Sequence, residues 1–350
     1  QNISERPEVV VNTFRDGKRF WKINQDENMK LDAIVGNPPY QVISHDGPQA
    51  SQATPVYHLF VDLSKKIGAS KISMIMPARW YAGGMGMGDF RSSMLSDRNI
   101  SLIVDFIKSR DCFPTVDIAG GICYFLRDKN YKGPCKVINR DGEQYNSDIR
   151  DLNEYQIFVR DNIGIHIIHK LDLERNLSSI VYPISPFGLP TNIEGRTTKD
   201  KDSVLLISSK GKSYISRERI NNKNLITKYK VMIGQLNPDR GGVNNSKSGS
   251  NVTTKVTILN PNEVTTATYL ILGSFDNKES ALNYASYIKT KFVRFLILQT
   301  LSSMHITQAN FQFVPLQDFS RPWTDADLYA KYGLTDEEIQ FIESMIKPME

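Results

Sequence analysis

Four consecutive residues, Asn37-Pro38-Pro39-Tyr40, combine a side-chain amide oxygen, a stiff backbone and an aromatic face. That set suits methyl transfer to an amino nitrogen whose lone pair is delocalised, such as the exocyclic nitrogen of adenine. Two acceptors set beside its two N–H bonds draw the nitrogen toward tetrahedral geometry and free the lone pair. The Asn37 side-chain oxygen can be one acceptor. The Pro38 carbonyl, held by consecutive prolines of fixed φ, can be the other. Tyr40 offers a face on which an extruded base can stack, worth roughly 1 to 3 kcal/mol. Such chemistry requires no titrating residue of perturbed pKa. The bland alternative is that Asn-Pro-Pro is a turn that ends a strand.

The neighbouring elements must then place this corner at a strand end. Residues 31–36, LDAIVG, are a short apolar run rich in β formers that stops at the corner. Val56, Leu59, Phe60, Leu63 and Ile67 follow at helical spacing after a Thr54-Pro55 start. Residues 71–77, 100–106 and 118–126 read as strands, with a glycine-rich loop and a short helix near 90–95. Strands alternating with helices predict an α/β domain with a mainly parallel sheet that binds ligands at the carboxyl ends of its strands. Beyond Leu171 short β-like runs alternate with polar loops, and SPFGLP (185–190) punctuates the change. One long helix is predicted over 279–301, and Thr335 with Glu338 forms a capping-box pattern for a last helix. These signals give two domains, 1–178 and 179–350, the second of α+β type.

The 350 residues carry 43 basic and 38 acidic side chains, with 40 % apolar and 23 % charged residues, which is ordinary globular composition. No apolar run reaches the roughly 20 residues of a membrane span. The cysteines Cys112, Cys123 and Cys135 lack CxxC spacing, so neither a disulfide framework nor a zinc knuckle is expected, and the compartment reads as cytoplasmic. His166 and His169, three apart, could share a helical face with a metal but have no cysteine or carboxylate pair beside them, and core or interface roles are favoured. Charge is uneven: residues 196–255 hold 13 basic and 4 acidic side chains, whereas 317–350 hold 3 and 8. The basic block, with Arg217, Arg219 and Arg240, is a candidate contact surface for double-stranded DNA; a solvated face with a flexible loop is the alternative.

A strand running into NPPY and followed by a helix resembles the adenine-specific DNA methyltransferases, in particular the restriction-modification methylases of the Eco57I type. KISMIMPARWYAGG (71–84) resembles the family's strand and loop after its catalytic motif, and CFPTVDIAGGICYFL (112–126) a later segment. SPFGL and the stretch from NYASYIKTKFVRFLI onward resemble the bounds of a target-recognition domain. The resemblance implies a Rossmann-like class I fold, S-adenosylmethionine as donor, Asn37 to Tyr40 at the catalytic corner, and Phe113 against the other face of a flipped adenine. It also implies double-stranded DNA as substrate and a restriction endonuclease domain or subunit as partner.

The family's FxGxG cofactor loop belongs upstream of NPPY, and the 36 preceding residues contain none. Together with the opening at Gln1, this predicts a fragment with an incomplete Rossmann-like sheet and cofactor site, and no cofactor-binding residue is assigned. The glycines of 83–88 are read as a DNA-facing loop in preference to a permuted cofactor loop. Two other readings stay open: a non-catalytic DNA-specificity module, and a protein glutamine methyltransferase, whose amide substrate poses the same lone-pair problem.

Overall fold

A computed structural model describes residues 31–43, 53–82, 86–116, 118, 120–239, 249–301 and 305–349. The chain divides into two compact units, Gln1–Asn162 and Ile163–Glu350. This division precedes the 178/179 boundary read from the sequence, which keyed on the Pro/Gly punctuation of SPFGLP.

In the first unit a six-stranded sheet has the order β1-β4-β6-β5-β7-β8. Its strands are β1 (Ala33–Gly36), β4 (Lys71–Pro77), β5 (Ile100–Phe106), β6 (Ile122–Asp128), β7 (Cys135–Asp141) and β8 (Gln144–Arg150). Two short strands, β2 (Gln41–Ile43) and β3 (Ala53–Pro55), pair apart from it. The sheet is mixed rather than mainly parallel: β1 and β4 are parallel, as are β5 and β7, but β6 runs antiparallel to both β4 and β5. The physical reason lies in the β5–β6 connection. It contains only a 3-10 turn, Ser109–Asp111, and no crossover helix to return the chain to the same end of the sheet. β1, β4, β5 and β7 nevertheless share one direction, so Gly36, Pro77 and Phe106 end at one edge.

Helix α1 (Tyr57–Ile67) buries Tyr57, Val61 and Ser64 and stops at Gly68, whose φ of 82° suits the left-handed cap that glycine adopts without strain. Its Thr54-Pro55 prelude is paired strand instead of first turn, because Pro55 lies opposite Gln41. Helix α2 (Gly88–Leu95) buries Phe90, Met94 and Leu95. Both helices join one core with Ile72, Met74 and Met76 of β4 and Cys123 and Phe125 of β6. The opposite face of β4, Ser73 and Ile75, is only half-buried, and on β1 Val35 is 79 % exposed.

Helix α3 spans Asn162–His169. The second unit holds two three-stranded sheets. β10 (Gly211–Ser216), β9 (Ser203–Ser208) and β13 (Glu263–Thr265) form one; β12 (Thr257–Leu259), β11 (Tyr229–Gly234) and β14 (Tyr269–Phe275) form the other. The predicted helix over 279–301 is two helices, α4 (Lys278–Lys289) and α5 (Lys291–Leu298). Thr290 separates them with an extended ψ of 148°. Its hydroxyl accepts from the Val293 amide and donates to the Tyr287 carbonyl, so one residue caps both helices. Helices α6 (Asp325–Lys331) and α7 (Asp336–Met345) each begin with a capping box, the second built from Thr335 and Glu338 as the sequence predicts. No helix among the described residues is long and apolar enough to cross a membrane.

Candidate acceptor site at the end of the first strand

The corner leaves β1 at the edge where β4 and β5 also end. Asn37 and Pro39 are exposed, Pro38 is buried and Tyr40 is half-buried. Beyond Tyr40 the chain enters β2, and the Val56 amide donates to the Tyr40 carbonyl at 3.2 Å. The corner is therefore held between β1 on one side and the β2–β3 pair with the start of α1 on the other. An exposed amide beside a buried proline has the surface placement that the acceptor role requires.

Tyr40 makes no ring contact among the described residues, and its hydroxyl finds no hydrogen-bond partner there. Burial pushes its pKa up to about 12, and the thiols of Cys112 and Cys123 lie near enough to add to the shift. Its phenol is thus neutral throughout the physiological range. The proximity of Cys112 also brings the 107–121 loop, with Phe113 next in sequence, toward the corner. Phe113 is half-buried and likewise makes no ring contact among the described residues.

Sequence reasoning missed the groups that fix this loop. Ser109 is buried; its hydroxyl donates to the Val116 carbonyl at 3.1 Å and accepts from the Ile118 amide at 2.8 Å. Asp111 accepts from the Gly142 amide at 2.7 Å, and Lys108 pairs with Asp141, so the loop is tied to the β7–β8 turn. Asp105, 0 % exposed, takes a two-pronged bond from Arg160, at 2.7 and 2.9 Å. An aspartate inside the apolar run ISLIVDF was the one sequence signal for this pair. Behind the loop, Trp80 and Tyr81 are buried, and Tyr81 packs on Phe158 with ring centroids 4.5 Å apart.

The basic block of the second unit is less free than its composition predicts. Arg196, Lys210 and Lys228 pair with Asp200, Glu194 and Asp276, and Lys230 is 0 % exposed. Arg217 is half-buried and donates to the Asn262 side-chain oxygen at 2.5 Å. Arg219 is exposed, and Arg240 lies outside the described residues. Of the three arginines, Arg219 is thus described as exposed, while the Arg217 guanidinium holds a neighbouring loop.

A methylase site also needs a place for S-adenosylmethionine, and the described residues at this edge do not fit it. Asp105, buried there, is engaged by a two-pronged bond from Arg160. A Cβ on Gly121 would meet the Phe106 carbonyl at 2.3 Å and Arg160 at 2.6 Å, so that cradle is filled by the chain itself.

Comparison with known proteins bears on the corner directly. The family model of the Eco57I restriction-modification methylases matches residues 1–113, which include Asn37 to Tyr40 and end at Phe113. An uncharacterized adenine-specific methylase of Mycoplasma pneumoniae (strain ATCC 29342 / M129 / Subtype 1) is 32 % identical over 132 residues, 37 % of this chain and 31 % of the relative. The chain thus spans about a third of that curated relative's length. Among solved structures, the type IIG restriction endonuclease BpuSI aligns at 11 % identity over 89 % of this chain and 48 % of its own, with a TM-score of 0.37. The type IIL restriction-modification enzyme MmeI, solved in complex with DNA, aligns at 8 % identity over 80 % and 46 %, with a TM-score of 0.41. The similarity to the Eco57I restriction-modification methylases thus covers residues 1–113, about a third of the chain.

Proposed function

We propose that the chain is the acceptor-holding and DNA-reading part of a site-specific DNA methyltransferase that modifies N6 of a flipped-out adenine. The observation that carries this reading is the exposed Asn37 beside the buried Pro38 at a strand end, with the Tyr40 ring uncommitted to any described aromatic neighbour. In this reading the Asn37 side-chain oxygen and the Pro38 carbonyl accept the two amino hydrogens of adenine. The nitrogen lone pair, withdrawn from the ring, then points toward the methyl donor. Tyr40 and Phe113 stack on the extruded base and offset the few kcal/mol spent in unstacking it. Residues 1–178 carry this catalytic part on a Rossmann-like sheet, residues 179–350 act as the target-recognition domain, and Arg219 and Arg240 are its assigned DNA contacts. A restriction endonuclease domain or subunit is the partner, and the cytoplasm the compartment.

S-adenosylmethionine is the donor used by methylases of this kind. The described residues supply no cradle for it, and no step is assigned to them on the donor side.

The test is transfer of labelled methyl from S-adenosylmethionine to unmethylated phage DNA, with N6-methyladenine identified by mass spectrometry after digestion. The wild-type protein, assayed at its full natural length so that the donor site is complete, is expected to produce it. Asn37→Ala is expected to lose at least ~100-fold in rate, as removal of one preorganised hydrogen-bonding group does elsewhere, while duplex affinity stays within about twofold. Label in protein, on cytosine or nowhere, or full activity in Asn37→Ala, overturns the reading.

A further inference from the structure

Arg160 holds both ends of one loop. Its Nη2 donates to the Phe106 carbonyl at 3.1 Å, just before the loop begins, and its Nη1 to the Gly120 carbonyl at 2.9 Å, where the loop closes. The remaining contacts of the guanidinium fork go to Asp105. Gly121 makes this approach possible. At φ +73° it adopts a conformation that L side chains rarely take, and any Cβ would strike the Phe106 and Ile107 carbonyls or Arg160 itself. The Tyr81 ring lies 5.8 Å from the guanidinium and the Asn139 amide donates to the Arg160 carbonyl, so the arginine is itself fixed from two sides.

A buried ion pair is a weak source of stability, since desolvation offsets most of its attraction. What this one supplies is geometry: a planar fork that ties two carbonyls and a carboxylate into one arrangement. Between those carbonyls the chain carries Cys112, within electrostatic reach of Tyr40, and Phe113 next to it in sequence.

We propose that Arg160 is a positioning residue that sets the distance between the Phe113 ring and the Tyr40 corner, and so the width of the slot that takes the flipped base. The inference rests on the methyltransferase reading for its function and on the loop alone for its geometry, and the two parts are tested separately. The loop arm uses Cys112, the half-buried thiol beside Phe113, as reporter; Cys123 and Cys135 are buried. In Arg160→Lys, which keeps the charge but not the fork, alkylation of Cys112 by iodoacetamide at pH 8 is expected to accelerate at least ~5-fold, with the melting temperature recording whether the unit still folds. Asp105→Asn, which leaves one acceptor oxygen in place, gives a smaller change in the same direction.

The function arm measures N6-methyladenine formation on the same phage DNA. Arg160→Lys is expected to slow transfer roughly 10-fold or more at unchanged DNA affinity, because misplacement of a positioning group by about 1 Å can weaken catalysis that much. The double variant Arg160→Lys/Phe113→Ala is expected to be no slower than Phe113→Ala alone, since Arg160 acts through that ring. Unchanged Cys112 reactivity in both single variants refutes the clamp. Faster alkylation with unchanged transfer, or additive losses in the double variant, refutes its role in the slot. Absence of transfer by wild type, with Cys112 responding, refutes the methyltransferase reading and leaves the clamp standing.

Discussion

Lys230 is counted among the 13 cations of the basic block, yet it sits in β11 with no exposed surface. Its ammonium donates to the Asn260 carbonyl at 3.1 Å and faces the Ile226 carbonyl at 3.5 Å. Burial pushes its pKa down from 10.5 to about 8, against a smaller opposing pull from Glu263. A shift of that size corresponds to ~3 kcal/mol of preference for the neutral amine in the folded chain. Between about pH 8 and 10.5 the unfolded lysine keeps its proton while the folded one has released it. The unfolded state then binds more protons, and stability rises with pH across that window. Below pH 8 both states are charged and the buried charge persists at full penalty. Urea denaturation of wild type and Lys230→Met at pH 7, 8, 9 and 9.5 reads the effect as a difference between the two proteins. Restricting the range to pH 9.5 keeps it below the titration of unfolded tyrosines. Wild type is expected to gain about 2 kcal/mol relative to Lys230→Met between pH 7 and 9.5. The same substitution should leave the salt dependence of duplex binding untouched. A pH-independent difference would show that Lys230 reaches water, and a reduced salt slope would place it on the DNA surface; either result refutes the reasoning.

Two further substitutions separate surface from scaffold. Arg219→Ala is expected to lower the slope of log K against log salt by about 0.9 on an unmethylated duplex, as loss of one phosphate contact does, while Arg217→Ala lowers the urea midpoint through Asn262 with little change in slope. The reverse pattern would exchange their roles. Thr290→Ala removes the hydroxyl that caps α4 and α5 together, and a loss of about 1 to 2 kcal/mol in urea denaturation is expected; a loss under ~0.5 kcal/mol would show that the surrounding core fixes the break unaided.

Where apolar runs are short and sharply bounded, the sequence carried the fold. β4 and β5 occupy the predicted 71–77 and 100–106, and the Thr335 capping box starts α7. The β7–β8 hairpin was not predicted, because most of β8 is exposed and leaves no apolar period to detect; Asp141-Gly142 at its turn was the available signal. The break at Thr290 is invisible to periodicity, since buried residues continue on both sides of it. Asn37 to Tyr40 could be singled out from sequence because one tetrapeptide contains all the groups of the proposed chemistry. Asp105 and Arg160, 55 positions apart, were not, because only the folded sheet brings them together.

The distribution of these constraints follows from the proposed chemistry. A site built on a general base can adjust its rate through the pKa of that base as well as through its placement. A site that activates an amine through two carbonyl oxygens has only placement to offer, and its rate depends on how rigidly those oxygens and the stacking faces are held. The fold places several fixed polar contacts at that edge. Consecutive prolines define the corner, and the Val56 amide ties Tyr40 to the start of α1. Ser109, Asp111 and Arg160 fix the opposing loop at its middle, its side and both its ends. On this reading the residues whose replacement most impairs transfer without weakening DNA binding should cluster among these buried or half-buried tethers as densely as in NPPY itself. A saturation scan of residues 31–162 scored for N6-methyladenine and duplex affinity separately distinguishes that pattern from one in which sensitivity ends at Tyr40.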